Sequence, residues 1–450
     1  MDTPAAPALV SDSMAPRPAP RLQRPDRSGR DPHPRTIDEL LPPDHPARAV
    51  WALAEAMDLA TVYQSIKARE GHPGRTPIDG RLLVAVWLYA TLEGIVSARQ
   101  LDELCQRHDA FKWLCGGVSV NYHTLADFRT EHADWLEEQL VWSVALLRQE
   151  GLADLNRVGQ DGLRVRASAG SSSFKSEATL AKHLAEAQQQ WDRLQAELAA
   201  NPQQVNRRQE QARQRAARER LQRVQRAQDE CKKVEQAREK RKKGDGDKAR
   251  ASRTDPEART MKMADGGYRP AYNVQFATAL DPLVVLGVSV SNAGSDSGQM
   301  DPMLAQLEEQ QQVRPGEYYT DGGFSTLDDI VKVSQRGTTV YTPVKDAEKK
   351  RKQGQDPFAP RPGDKPEVAA WRQRMGTAEA QAKYKDRPKC EWTNATCRNR
   401  GLTRLLVRGL EKVKAVALWY GLAVNVLRLL AVRAAAVAGT VRAAPAAVAG

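Results

Sequence analysis

Cysteine is scarce in this sequence of 450 residues, and its spacing is irregular. The five cysteines are an odd number with long gaps between them, which does not indicate the framework of a disulfide-stabilised secreted fold. Cys390 and Cys397 are seven residues apart, with no second pair and no histidine nearby, so we interpret them as ordinary helix residues rather than zinc ligands. This cysteine usage favours a reducing cytoplasm.

Long apolar runs are also missing. The longest extends from Ala415 to Leu427, is interrupted by Gly421 and Asn425, and is shorter than the roughly 20 residues that a membrane-spanning helix needs. We therefore expect a buried helix there. Residues 1–33 are rich in Pro, Ala and Arg and lack the apolar core of a signal peptide, so we predict a disordered lead-in.

Positive charge is in surplus. The chain has 68 Lys and Arg against 56 Asp and Glu, and its sequence pI is about 9.5. Such a surplus indicates a polyanionic partner, although ribosome-associated and membrane-surface proteins share it. The length and the 41% hydrophobic content allow two or three domains.

Residues 34–150 have the apolar spacing of short helices. Leu82, Val86 and Ala90 recur at helical intervals, and Thr124 is expected to cap a further helix. Short helices joined by tight turns form helix-turn-helix DNA-binding domains, but they form other small bundles as well. We predict an all-helical N-terminal domain that binds DNA.

A long charged segment interrupts the strand pattern that begins near Arg157. In the first part of residues 176–243, apolar residues recur at alternating intervals of three and four, which predicts the apolar seam of a coiled coil. Asn201-Pro202 then interrupts this seam. Residues 207–243 contain 15 basic and 6 acidic residues. We predict an inserted antiparallel helical hairpin. It is either a solvated charged hairpin or an arm that grips DNA phosphates or a second subunit.

The rest of the chain predicts an α/β fold with a mixed sheet, in a second domain over residues 151–437. The expected strands lie around Asp161 and at Tyr272–Ala277, Leu283–Ser291, Tyr318–Asp321 and Thr338–Val344, with helices at Asp301–Gln310 and Ser325–Gln335. We also predict a mobile loop at 345–366. A helical tract from about Pro366 to Val437, broken near Arg387-Pro388, and a frayed tail at 438–450 complete the prediction.

Two aspartates precede glycines at the expected strand positions. Asp161-Gly162 lies on one strand, and Asp321-Gly322-Gly323 ends another. Glycine lets a further group approach the acid closely, although Asp-Gly is also a common turn sequence, which is how we interpret Asp265-Gly266-Gly267. Two acids on neighbouring strands and a third on a helix can hold two divalent cations for phosphoryl displacement, with Mg²⁺ expected and Mn²⁺ as a substitute.

The third acid is Glu391. Counted from Tyr384, the residues Arg387, Glu391 and Arg398 follow at offsets of 3, 7 and 14. We expect Pro388 to open a helix, which places Glu391 and Arg398 two turns apart on one face. One acid flanked by cations and a hydroxyl suits a metal site beside a phosphate. An ordinary charged amphipathic helix is the alternative if the spacing stands alone.

This segment resembles the Y-x2-R-x3-E-x6-K signature of bacterial insertion-sequence transposases of the DDE, RNase H-like superfamily. Tyr384, Arg387 and Glu391 match it, and Arg398 stands where lysine is usual. The resemblance covers most of residues 34–430. Its other blocks, in the family's order, are Trp87–Gly94, Gly116–Leu125, Thr254–Arg259, Tyr272–Gln275 and Arg408–Val413.

The resemblance implies an RNase H-like mixed sheet with flanking helices and a set of residue roles. The catalytic and metal-binding triad would be Asp161, Asp321 and Glu391, and the contacts to DNA near the scissile phosphate would be Tyr384, Arg387 and Arg398. It implies two Mg²⁺ ions and double-stranded DNA, both the element's terminal inverted repeats and the target, as the partner. It further implies a homodimer on DNA and a cytoplasmic, nucleoid-associated protein without a membrane partner. Arginine for lysine at 398 keeps the charge but changes its geometry.

Two other functions remain open. An RNase H-like nuclease that cuts without joining would have the same acids. A transposase relative that binds DNA without catalysis would keep the same domains. A strand-transfer assay with pre-cut ends separates the first from a transposase, and a cleavage assay separates the second.

Overall fold

A computed structural model describes residues 21–28, 36–66, 68, 76–151, 154–200, 207–281 and 283–442. The chain divides into two compact units. One consists of Met1–Val86 and Cys105–Val120, and the other of Trp87–Leu104 and Asn121–Gly450.

The described residues form helices and strands throughout. The helices are α1 Pro46–Ala56, α2 Ala60–Gln64, α3 Gly80–Leu92, α4 Ala98–Arg107, α5 Asp109–Cys115, α6 Tyr122–Glu131, α7 Ala133–Gln149, α8 Glu177–Ala200, α9 Arg207–Arg241, α10 Met300–Gln311, α11 Leu327–Gln335, α12 Ala347–Lys352, α13 Pro366–Met375, α14 Ala378–Tyr384, α15 Glu391–Asn399 and α16 Leu410–Arg442. The strands are β1 Asp154–Arg166, β2 Phe174–Lys175, β3 Ala251–Ser252, β4 Arg259–Lys262, β5 Tyr268–Asp281, β6 Val284–Ser291, β7 Glu317–Tyr319 and β8 Thr339–Tyr341. Short 3-10 helices lie at Asp38–Leu40, Ser171–Ser173, Gly246–Lys248 and Arg387–Cys390.

The first unit is helical around an apolar core, and it includes residues 21–28 of the predicted lead-in. The Arg27 guanidinium lies 3.5 Å from the ring centre of Trp51 and 4.6 Å from that of Trp113. These cation–π contacts hold part of a segment that we expected to be disordered. The remainder of residues 1–33 lies outside the described residues.

The second unit contains a mixed sheet of six strands, which confirms the predicted α/β class. In this sheet β1 is antiparallel to β5 and parallel to β7, and β7 is parallel to β8. The long strand β5 also pairs with β4 and β6. Strand β4 was not predicted, and Gly266, with a φ of +80°, lies in the turn that joins it to β5. Asp265-Gly266-Gly267 is therefore a turn, as predicted.

Helices α8 and α9 stand in the chain between β2 and β3, which pair with each other. Leu180 of α8 packs with Ala227 and Cys231 of α9 in a small buried cluster that also includes residues near β3. The seam predicted for α8 faces α9, because Leu180, Ala187 and Leu194 are buried. The predicted break at Asn201-Pro202 lies outside the described residues.

The tract expected to be one helix with a single break is divided into four helices, α13 to α16. The predicted break is present at Arg387–Cys390. In addition, the chain leaves helical geometry between α15 and α16, where Gly401 and Gly409 have φ angles of +92° and +88°. Such angles favour glycine. Gly401 follows the end of α15, and Gly409 stands directly before α16. Residues 345–366, predicted to be a mobile loop, include α12. Of the predicted tail, 438–442 belong to α16, and the last eight residues lie outside the described part.

Helix α16 contains the longest apolar run of the sequence. Its segment Leu410–Ala435 is long and apolar enough to cross a membrane, but 72% of its most apolar window is buried within the protein, as in a core helix. Asn425 accepts a hydrogen bond from the Val285 amide at 2.7 Å and donates to the Val285 carbonyl at 2.9 Å. These two bonds fix α16 against β6.

Candidate active site

Asp161 and Asp321 lie at the same level of two adjacent parallel strands. In the β1–β7 pair Gly159 stands opposite Tyr319, and each aspartate follows two residues later in the same direction. The two aspartates therefore lie side by side where β7 ends, part-way along β1. Asp161 is only 16% exposed, whereas the Asp321 side chain is 43% exposed.

Glu391 is brought to these acids by a close approach at Gly159. A Cβ atom on Gly159 would lie 2.8 Å from the Cβ of Cys390 and 2.8 Å from Leu280, so only glycine lets the 3-10 turn Arg387–Cys390 rest on β1. Glu391 begins α15 directly after this turn. The Thr393 hydroxyl, 3.1 Å from that of Thr278 on β5, holds the helix in place.

The guanidinium of Arg387 contacts all three acids. Its Nη2 atom lies 3.1 Å from Oδ1 of Asp161 and 3.7 Å from Oδ2 of Asp321, and its Nη1 atom bonds to the Glu391 carboxylate. Burial lowers the pKa of Arg387, but the carboxylates around it, Asp161 first, raise it above the ordinary value. Arg387 thus joins three elements of the fold through one charged group.

Asp161 is the acid most affected by its surroundings. Burial raises its pKa to about 6, opposed by the Arg387 guanidinium and reinforced by the neighbouring Asp321 carboxylate. Its oxygens accept hydrogen bonds from Asn394 Nδ2 at 2.8 Å and from the Gly162 amide at 3.0 Å. Asp161, which we predicted to be a ligand, therefore keeps its proton to a higher pH than an exposed carboxyl group does.

Tyr384 supports the loop that carries Asp321. Its hydroxyl donates a hydrogen bond of 3.1 Å to the carbonyl of Thr320, and burial raises its pKa to about 12. On the other side, the Gly323 amide donates to Oδ1 of Asp321 at 2.7 Å. Tyr384 therefore lies beside the acids, with its hydroxyl turned toward the chain backbone.

Arg398 lies apart from the three acids and lines a cavity of about 460 Å³ together with Gly162. Three more arginines line the same cavity: Arg164, Arg166 and Arg269. The cavity begins at the residue that follows Asp161, and its four arginines form a row that leads away from the acids. Asp265 also lines the cavity and pairs with Arg269, so the net charge of the lining is positive but partly neutralised. The structure brings Tyr384 and Arg387 to the acids and places Arg398 in this adjoining row.

Two side chains at the site were not singled out from the sequence. Asn394 is three residues after Glu391, so helical spacing on one face could have indicated it. Asp296 accepts hydrogen bonds from Asn273 Nδ2 at 2.7 Å and Gln275 Nε2 at 2.6 Å, and a Cβ on Gly162 would overlap its carboxylate. Its approach depends on pairing between β1 and β5, which no local pattern encodes.

The oxygen chemistry of the site suits a hard divalent cation. Among the described residues, no group of three or more His, Cys, Asp or Glu side chains stands close enough together to hold a metal ion. The three acids that meet Arg387 nevertheless offer only carboxylate oxygens, which Mg²⁺ and Mn²⁺ prefer. In addition, the amide oxygen of Asn394 is buried without a hydrogen-bond partner, on a side chain that contacts Asp161. The donor chemistry of these residues, although not their spacing in this structure, therefore fits such an ion.

Gly159→Ala is expected to destabilise the protein by about 1–3 kcal/mol, because the added methyl group would overlap Cys390 and Leu280. Urea denaturation measures this change in the free energy of unfolding. Gly170→Ala is the matched control, since Gly170 has a φ of −92° and its Cβ would meet its nearest neighbour at 3.7 Å. Equal stability of the two variants would contradict the close approach.

Comparison with protein families gives two matches. Residues 35–131 match a model described as Transposase domain (DUF772), and residues 244–426 match one described as Transposase DDE domain. No curated protein and no solved structure matches the chain. The range matched by the second model includes Asp321 and Glu391. This range begins after β1, which carries Asp161, and after the helices α8 and α9.

Proposed function

The chain belongs to the DDE transposases of insertion sequences, and from this premise we propose that it cleaves the ends of its element and joins the freed 3′ ends to target DNA. The observation that carries the proposal is the meeting of Asp161, Asp321 and Glu391 at one guanidinium. These acids come from three separate elements of the chain. Proteins of this class use divalent metal ions and bind DNA.

The domain roles in this proposal follow the order of the chain. Residues 34–150 would bind DNA, which the transposase-domain match at 35–131 supports. Residues 151–437 would form an RNase H-like catalytic domain interrupted by the hairpin at 176–243. The strand order supports this, because the antiparallel strands β1, β5 and β6 are followed by β7 and β8, both parallel to β1.

The three acids would hold two Mg²⁺ ions, with Mn²⁺ as a substitute. When bound, such ions lower the pKa of a water molecule and stabilise charge on a phosphoryl group. The chain supplies the arrangement. Asn394 fixes Asp161, the Gly323 amide fixes Asp321, and Tyr384 holds the backbone before Asp321. Glu391 is 55% exposed, so the site is open to a DNA strand on that side.

Both proposed steps are in-line displacements at phosphorus. In the first, a water oxygen forms a bond to phosphorus, and the 3′ oxygen leaves with a proton. In the second, that 3′ hydroxyl loses its proton and attacks a target phosphodiester, whose own 3′ oxygen leaves. Arg387 and the arginine row that includes Arg398 would hold the negative phosphates next to the acids.

A strand-transfer assay tests this function. Purified protein is incubated with Mg²⁺, a pre-cut duplex that ends in the sequence flanking the gene, and a supercoiled target plasmid. We expect joined products that carry the labelled 3′ end. Cleavage without joining would identify a nuclease, and a mobility shift without cleavage would identify an inactive DNA-binding relative.

The proposal also includes the assembly and its location. Because two element ends must be cut and joined together, we propose a homodimer on DNA that acts on the nucleoid in the cytoplasm. Light scattering with and without the end duplex measures the change in mass. A complex that keeps one protein copy per pair of ends would contradict the dimer.

A further inference from the structure

A second basic cavity lies between the helical hairpin and two loops of the same unit. Its volume is about 370 Å³, and four arginines line it: Arg220 and Arg223 from α9, Arg253 after β3, and Arg408 before α16. His183 of α8 and Thr254 complete the polar lining. Segments far apart in sequence thus direct four guanidinium-bearing side chains toward one small space.

These four arginines form no direct contact with a carboxylate among the described residues. Arg220 donates to the amide oxygen of Gln190 at 2.6 Å, and Arg408 donates to the carbonyl of Ser168 at 3.3 Å. Both of these acceptors are uncharged. Within the described parts of the chain, no ion pair joins Arg220, Arg223, Arg253 or Arg408 to a carboxylate.

Other arginines near this hairpin are paired. Arg238 of α9 lies 2.8 Å from Asp245, and Arg259 bonds to Glu230. The nearest acid in sequence to the cavity loops, Asp255, is fully buried and accepts hydrogen bonds from the Tyr272 hydroxyl and the Gly409 amide. Arg408 interacts electrostatically with this carboxylate, whereas Arg220, Arg223 and Arg253 carry charge that no described carboxylate pairs and that an anion could meet.

The two loops are held firmly behind the cavity. The Gly409 amide donates to Asp255 at 3.2 Å, and the Leu410 amide donates to Glu257 at 2.9 Å. These bonds tie the segment that carries Arg253 and Thr254 to the one that carries Arg408. They also place two blocks of the resemblance, Thr254–Arg259 and Arg408–Val413, side by side in the fold.

We propose that this cavity binds a backbone phosphate of double-stranded DNA, an inference that rests on the proposed function. Guanidinium groups form paired, charge-assisted hydrogen bonds with phosphate oxygens, and the Thr254 hydroxyl adds a neutral donor. Half of the cavity belongs to the hairpin, which lies outside both matched ranges at 35–131 and 244–426. In this proposal the hairpin contacts DNA together with the matched domain.

Binding to a fluorescent 30-base-pair duplex, measured over a series of salt concentrations with EDTA present, tests the cavity without cleavage. Arg223→Gln/Arg253→Gln is expected to weaken binding on the order of tenfold or more and to lower the slope of log K against log salt by about 1–2. Arg218→Gln/Arg226→Gln is the matched control. It removes the same charge from exposed positions of α9 that do not line the cavity.

The outcomes distinguish failure of the phosphate site from failure of the proposed function. A loss confined to the cavity variant, with an unchanged urea midpoint, supports the phosphate site. Arg253→Glu alone, on a loop outside the hairpin, should show the same loss even if the double variant folds poorly. Equal losses in the cavity and control variants overturn the site alone, whereas absence of DNA binding by the wild-type chain overturns both.

Discussion

Asp161→Asn, Asp321→Asn and Glu391→Gln are each expected to reduce Mg²⁺-dependent DNA cleavage by at least about a thousandfold. Each change keeps the size of the side chain but replaces a carboxylate oxygen with an amide nitrogen. It therefore removes both a negative charge and a ligand for a hard cation. A loss of about 4 kcal/mol of transition-state stabilisation produces an effect of this size. Single-turnover cleavage of labelled end duplexes measures it.

The control for these variants is Asp328→Asn, an exposed aspartate in the first turn of α11. It should cleave at the wild-type rate, because only a helix-terminus interaction of about 0.3–1 kcal/mol is lost. The three site variants should still fold and bind duplex DNA with EDTA present. Robust cleavage by any one of them would remove that residue from the catalytic set.

The sequence distinguished the Asp-Gly motifs because their surroundings differ. Asp265 follows the short, polar strand β4, and in the structure its carboxylate lies 2.7 Å from Arg269 in a surface turn. Val158 and Leu163 flank Asp161, and two tyrosines precede Asp321 by two and three residues. The parallel pairing of β1 and β7 brings these two acids together. Local pattern was therefore sufficient to predict the two strands, whereas their relative position depends on pairing between residues about 160 apart in the chain.

The contacts of Arg387 could not be derived in the same way. From sequence we expected a DNA contact, but in the structure its guanidinium binds Asp161, which is 226 residues away in the chain. That contact requires the turn at 387–390 to rest on Gly159. The sequence around Gly159 and the sequence of the turn do not indicate this contact, because glycine in a strand also occurs for other reasons. Long-range packing, rather than periodicity, determines which group faces the acids.

The buried position of Asp161 has a consequence for stability. Its pKa in the folded protein, about 6, lies above the ordinary value of 3.8, mainly because burial disfavours the charged form. The proton-bound form is thus favoured by folding. Its contribution to stability is complete below about pH 3.8 and is lost as the pH rises through 6. Above pH 6 the ionised carboxylate lowers the free energy of unfolding, by an amount on the order of 2–3 kcal/mol.

We accordingly expect metal-free Asp161→Asn to be more stable than the wild-type chain at pH 8, by about 1–3 kcal/mol. The neutral amide avoids the cost of burying a charge. Its single oxygen can accept either from Asn394 or from Arg387 and Gly162, so the expected gain is smaller than the full cost of the buried charge. The difference should shrink as the pH falls through 6 and approach zero near pH 4. Urea denaturation in EDTA at several pH values measures it.

Asp321→Asn is the matched control, because its carboxylate is 43% exposed and stays in contact with water. It should not show the same gain at pH 8. Addition of Mg²⁺ should then raise the stability of the wild-type chain and have little effect on Asp161→Asn, since a cation that binds only the folded state stabilises it. A wild-type chain that is as stable as Asp161→Asn at pH 8 in EDTA would show that burial of this carboxylate carries no cost. If the prediction is correct, Asp161→Asn removes activity and increases stability. That combination is expected where a charge is kept buried for chemistry rather than for folding.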